Sequence, residues 1–179
     1  MGVAFEQIIA LTAERRLSEH EHDSEPDSSQ DATEWRNLLR YLTQVLGGLE
    51  HTAHQTCGQG NQHWRDEHYT APSGQAVRLL VAPSSDPARR ANSTDAVAFF
   101  AERVARAPSA SALLVTSAIY APYQYFATAP ALLRHGVGYV ELVGTATSMD
   151  GSRLRLAQRV AQEIHAGIHA AVAAADAGA

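Results

Sequence analysis

Ala76-Val77-Arg78-Leu79-Leu80-Val81-Ala82-Pro83-Ser84-Ser85 decides how this chain folds. Val77, Leu79, Leu80 and Val81 make a nearly continuous apolar run bounded by Gly74 and Pro83, which suits a strand buried on both faces. Strands of that kind occur in parallel sheets covered by helices. A polar loop, Pro83 to Ala91, follows. Asn92, Ser93, Thr94 and Asp95 then supply cap and first-turn chemistry for a helix that carries Val97, Phe99, Phe100 and Val104 and ends near Pro108.

The alternation continues on either side. Upstream, Phe5 to Leu11, with Ile8, Ile9 and Leu11, reads as a short buried strand, and Ser18 to Asp31 as an acidic, solvated loop. Asp31 or Thr33 caps a helix in which Trp35, Leu38, Leu39, Leu42, Val45 and Leu46 recur at helical spacing until Gly47-Gly48. Residues 47–63 read as a polar loop. Downstream, Ala112 to Ser117 is a third strand, Pro122 to His135 a helix stopped by Gly136, and Tyr139 to Val143 a fourth strand. The last helix, Ser152 to Ala175, places Leu156, Val160, Ile164, Ile168 and Val172 in one narrow stripe. The expected fold is a single α/β domain over residues 1–179, a three-layer Rossmann-like sandwich with a small parallel sheet of about four strands and helices on both faces.

Composition removes several functions. No apolar run approaches the roughly 20 residues of a membrane-spanning helix, and the start of the chain lacks a secretory layout, so the expected location is the cytoplasm, with no membrane partner. All 14 basic residues are arginine, so a phosphate-loop lysine, a Schiff-base lysine and a lysine base are all missing. That bias, with abundant alanine, points to a GC-rich genome. A net charge of −5 without a basic block argues against nucleic acid as a partner. The single cysteine, Cys57, excludes an intramolecular disulfide and a thiolate cluster.

In a parallel sheet, ligands bind beyond the carboxyl ends of the strands, where loops and helix starts converge. Two segments qualify. In the first, Ser84, Ser85, Asp86, Arg89, Arg90, Asn92 and Thr94 run from a strand end into a helix start, where free N–H groups, the helix dipole and an arginine fork favour an anionic group. In the second, Thr116, Ser117, Tyr120 and Tyr123 follow the third strand; Thr116 would line the pocket, and Ser117, Tyr120 and Tyr123 would lie at the reacting end, with a tyrosine as proton donor. Neither segment matches a G-x-S-x-G elbow, so a serine-hydrolase triad gains little support.

The nine histidines invite a metal, but none is expected. His165 and His169 are four apart without the glutamate of H-E-x-x-H; His51, His54 and Cys57 sit in a polar loop, and His20 and His22 among acids. His63 and His68 flank Trp64, Arg65 and Glu67, and one of them becomes a candidate general base if that loop folds over the strand ends.

At the two strand-end segments the chain resembles the YdcF/SanA/ElyC-like family of bacterial Rossmann-like proteins. The turn Ser85 to Thr94, with Asn92 and Thr94 in the cap, matches one family motif, Val115-Thr116-Ser117-Ala118 another, and Ile8 to Leu11 with Glu34 an earlier one. Tyr120 and Tyr123 stand where the family has a histidine and an arginine, and the family's first β-α unit has no counterpart. The resemblance implies an envelope-related role or binding of a nucleotide-like molecule such as S-adenosylmethionine, and a bare sheet edge implies a homodimer. The resulting expectation is a small-molecule enzyme of actinobacterial type, in a specialised biosynthetic pathway, that binds an anionic or nucleotide-like ligand and requires no cofactor. The alternative is a non-catalytic accessory or ligand-binding subunit.

Overall fold

The computed structural model describes residues 5–14, 33–103, 111–145 and 153–178. The acidic loop expected at 18–31 lies outside the described residues, as does the expected helix end near Pro108. Backbone contacts gather into two compact units, Met1–Phe100 and Ala101–Ala179.

The first unit is built on β1 (Gln7–Ala13), α1 (Glu34–Val45), β2 (Glu50–Cys57), β3 (Trp64–Thr70), β4 (Ala76–Ala82) and the start of α2 (Ser93–Arg103). The strands form one sheet in the order β1-β4-β3-β2. β1 and β4 run parallel, from Gln7 opposite Ala76 to Ala13 opposite Ala82. β3 runs antiparallel to both β4 and β2, so this sheet is mixed and not wholly parallel.

The hairpin β2–β3 occupies part of the span expected as a polar loop, and its sequence hides it for a physical reason. β2 is an edge strand with every residue exposed, so no buried face imposes an alternation on it. β3, Trp64-Arg65-Asp66-Glu67-His68-Tyr69-Thr70, is inside the sheet but carries charge on both faces. Asp66 is only 1% exposed, and Arg78 on β4 satisfies it through Nε to Oδ1 at 2.6 Å and Nη2 to Oδ2 at 2.5 Å. His68 Nε2 lies 3.0 Å from Asp66 Oδ1 on the same face. Paired charges replace the apolar residues that a pattern search looks for.

Side-chain alternation puts Arg65, Glu67 and Tyr69 on the other face with Val77, Leu79 and Val81. There α1 supplies Trp35, Leu38, Leu39 and Leu42 against Tyr69, Ala71, Val77 and Leu79, joined by Ile8 and Ala10 of β1. The helix ends at Gly47, whose φ of +76° few side chains tolerate. On the Asp66 face, Trp64 meets Phe99 of α2 with ring centroids 5.6 Å apart.

The second unit comprises β5 (Ser111–Ser117), α3 (Ala121–Arg134), β6 (Tyr139–Thr145) and α4 (Arg153–Gly178). β5 and β6 pair in parallel across α3, from Ser111 opposite Tyr139 to Ser117 opposite Thr145. Thr128, Ala129 and Leu132 bury one side of α3. α4 approaches α3 at Gly167, where a Cβ would lie 3.7 Å from the Tyr123 nitrogen. Val160, Ile164, Ile168 and Val172, the apolar stripe of α4, are 37–60% exposed. Among the described residues no helix is long and apolar enough to cross a membrane.

Asp66→Ala and Arg78→Ala are each expected to cost about 3–5 kcal/mol, because either leaves a desolvated charge unpaired. The double variant should cost clearly less than the sum, as read by urea unfolding. Strict additivity would show that the two side chains do not depend on each other.

Candidate functional site

The carboxyl ends of β1 and β4 lead to two neighbouring clusters in the first unit. After β4, the loop Pro83 to Asn92 folds around Asp95 in the first turn of α2. Asp95 Oδ2 accepts the Asn92 N–H at 2.9 Å, and Asn92 Oδ1 accepts the Asp95 N–H at 3.0 Å, a reciprocal capping box. Arg89 grips the same carboxylate with both terminal nitrogens, at 2.5 and 3.1 Å, and donates to Ser85 Oγ at 2.8 Å. The Ser85 N–H reaches Asp95 Oδ1 at 3.2 Å, Ser84 Oγ accepts the Asp86 N–H, and Asp86 Oδ1 accepts the Ala88 N–H.

Of the residues expected to hold an anion there, Ser84, Ser85, Asp86, Arg89 and Asn92 thus bind one another or their own loop. Arg90 and Thr94 are exposed. Burial pushes the Asp95 carboxyl up, but hydrogen bonds from Arg89, Asn92 and Ser85 outweigh it and hold the group well below the usual carboxylate range. The hydrogen bond to Asp95 in turn raises Arg89 further. The internal carboxylate occupies the fork that sequence reasoning assigned to a ligand.

The second cluster lines a cleft of about 610 Å³ beyond the end of β1, walled by Glu14, Thr33, Trp35, Arg36, the loop Gly58–Asn61, His63 and Arg65. Antiparallel pairing creates it, since β3 starts where β4 ends, with Arg65 opposite Val81. His63 and Arg65 are thereby carried to the rim where β1 finishes. The loop is tied to the one that follows β4 through Asn61, whose carbonyl accepts the Ser84 N–H at 2.7 Å and whose side chain donates to Pro87 O at 3.0 Å. Gly58 fits there only as glycine: φ is +83°, and a Cβ would fall 2.2 Å from Gln62 O.

Within the cleft, His63 Nδ1 contacts Glu14 Oε2, and His63 Nε2 lies 2.8 Å from Thr56 Oγ1. Arg65 lies over the Trp35 ring at 4.9 Å and approaches Glu14 at 3.9 Å and Glu67 at 3.8 Å, distances too long for hydrogen bonds. Its Nε, and Thr33 Oγ1, are buried with no hydrogen-bond partner among the described residues. Thr33 is the N-cap of α1 but makes no side-chain cap bond, which leaves first-turn N–H groups uncapped by it beside the cleft. Further along this face Glu67 contacts His51 at 3.0 Å. Burial, and after it the Glu67 charge, push the Tyr69 phenol up to about 12.

Thr116, Ser117, Tyr120 and Tyr123 lie in the second unit, at the end of β5, in the 3-10 turn Ala118–Tyr120 and in the first turn of α3. That is the strand-end position the sequence assigned them. The turn runs against β6, where a Cβ on Gly144 would be 2.7 Å from Ala118 Cα, and Thr145 Oγ1 donates to Thr116 O at 3.2 Å.

Glu14, Thr33, Trp35, Thr56 and Arg65 were not identified from sequence as a site; the signal available was the His63-Trp64-Arg65 run flagged as a candidate base. His68 instead points to the opposite face. The His51 and His54 rings stack at 5.6 Å and those of His165 and His169 meet edge to face at 4.4 Å, while among the described residues no group of three or more metal-ligating side chains assembles. His20 and His22 lie outside the described residues. Comparison with protein-family models, curated proteins and solved structures finds no match to this chain.

Asp95→Asn should lower stability by about 1–3 kcal/mol at neutral pH, measured by chemical denaturation. The native carboxyl titrates below its unfolded value of about 3.9, so its contribution is complete above about pH 5 and fades as the pH falls. The variant's deficit should shrink toward pH 3; a deficit that is constant with pH would mean that the charge of Asp95 is not what matters.

Proposed function

We propose that this chain is a small-molecule enzyme on a Rossmann-like three-layer sandwich, binding an anionic or nucleotide-like ligand at the strand ends of its first unit. The observation that carries this reading is Arg65: a guanidinium on a tryptophan face, in a cleft, with a buried Nε that no described residue satisfies. A carboxylate or phosphate supplies the missing acceptor, and the N-terminal end of the α1 dipole favours the same sign of charge. Trp35 adds an aromatic wall suited to a planar group. The resemblance to YdcF-like proteins points to the same placement, because the turn Ser85–Thr94 that carries it is joined to the cleft loop through Asn61. In this reading the Arg89–Asp95 cluster is the frame of the site and Arg65 its anion contact.

Titration calorimetry with inorganic phosphate and with a nucleoside monophosphate is the test. Arg65→Ala should weaken binding about tenfold or more, whereas Arg90→Ala should change it little, as expected for loss of one charge-assisted contact. Equal affinity in wild type and Arg65→Ala would reject the assignment.

A second reading, a subunit that assembles with another copy, is favoured by the exposed stripe Val160, Ile164, Ile168 and Val172 on α4. Light scattering should then show a dimer that Ile164→Glu with Ile168→Glu converts to monomer. A wild-type monomer at tens of micromolar, in the range where weak dimers form, would remove this reading.

A further inference from the structure

The contacts of His63 have an order that ligand binding does not require. Glu14 meets Nδ1 and the Thr56 hydroxyl meets Nε2, so the imidazole stands between a carboxylate and a hydroxyl, one on each nitrogen. A carboxylate on Nδ1 holds the proton there and leaves Nε2 as the acceptor, which is the arrangement that activates a hydroxyl nucleophile. Thr56 Oγ1 donates to the Trp64 carbonyl at 2.9 Å, and rotation about the C–O bond would turn that proton from the carbonyl to Nε2. Thr56 is exposed, on the edge strand β2, open to a substrate from solvent. Arg65 is its direct partner in the β2–β3 register, so the two side chains leave the same sheet face.

We propose that Thr56, His63 and Glu14 form an acyl-transfer relay, with an ester or thioester of an anionic acid as substrate. In the first step Thr56 Oγ attacks the acyl carbon while its proton passes to His63 Nε2. Glu14 holds the resulting imidazolium, and Arg65 lies near the negative charge gathered on the carbonyl oxygen. Collapse breaks the bond to the leaving group, which takes the proton from Nε2 and departs as alcohol or thiol. Water, deprotonated by His63, then attacks the acyl-Thr56 ester, and the proton returns from Nε2 to the Thr56 oxygen as the acid is released. No oxidant, reductant or metal enters the balance. Only the anionic half of the substrate rests on the reading of Arg65 given above.

The full chain is incubated with 4-nitrophenyl acetate, a neutral ester that needs no anion contact, and its peptides are mapped by mass spectrometry. With no lysine in the chain, competing acylation is confined to few groups, of which Cys57 is adjacent to the nucleophile. The expected result is nitrophenolate release with an acetyl group on Thr56. Thr56→Ser should keep the adduct; Thr56→Val, an exposed and nearly isosteric change, should abolish it, and His63→Gln should slow its formation about a hundredfold. An acetyl group on Cys57, His63 or the amino terminus instead, no adduct at all, or equal release by Thr56→Val would each overturn the relay. In the wild-type chain, acetylation of Thr56 without phosphate binding would uphold the relay and remove the anion contact; acetylation failing while phosphate still binds would remove the relay alone.

Discussion

Asp66 is a carboxylate in the middle of a sheet, almost wholly removed from water, and the first unit is arranged around keeping it paired. A buried charge without a partner is not tolerated, and the bidentate contact with Arg78 is available in one alignment of β3 on β4. A slip of one residue would turn Asp66 to the opposite face, toward the apolar layer under α1, and bring Glu67 and Tyr69 out of it. The pair contributes specificity of register more than net stability.

Register in turn sets the chemistry. With β3 held antiparallel to β4, its first residues stand at the carboxyl rim of the β1–β4 pair, and His63 meets Glu14 across 49 positions of chain. The turn through Gly58 and Gly60 closes over the same rim, and Asn61 fastens it to the loop that Asp95 organises. Two polar clusters thus have different tasks. Around Asp95 almost every donor already has an acceptor, as in a frame. Among the described residues, the buried Arg65 Nε and Thr33 hydroxyl have none.

The four strands with apolar runs and all four helices were legible in the sequence, because each rests on a local signal: the Val77–Val81 run, the Thr33 and Asn92 caps, Gly47 and Gly136 as stops. β2 and β3 were not. His51, His54 and Gln55 have no buried face to mark them, and Asp66, Glu67 and Arg65 read as solvent-loving until their partners on neighbouring strands are known. The strand-end rule placed Ser84–Thr94 and Thr116–Tyr123 correctly at carboxyl ends, yet it could not tell a satisfied arginine from an unsatisfied one. That distinction depends on Asp95 reaching back to Arg89, and on the Arg65 Nε having no hydrogen-bond partner among the described residues. The α4 stripe shows the converse limit, for periodicity identifies an apolar face without saying what covers it.

The ring nitrogens of His63 report most directly on the central claim, that strand register builds a polar site at the end of β1. Long-range proton–nitrogen NMR, with His63 assigned by comparison with His63→Gln, reads which nitrogen carries the proton when the ring is neutral. The expected result is an Nδ1–H tautomer that Glu14→Gln disturbs and that shifts on addition of phosphate, while the exposed rings of His165 and His169 stay unchanged. An Nε2–H tautomer for His63, indifferent to both Glu14→Gln and phosphate, would contradict it.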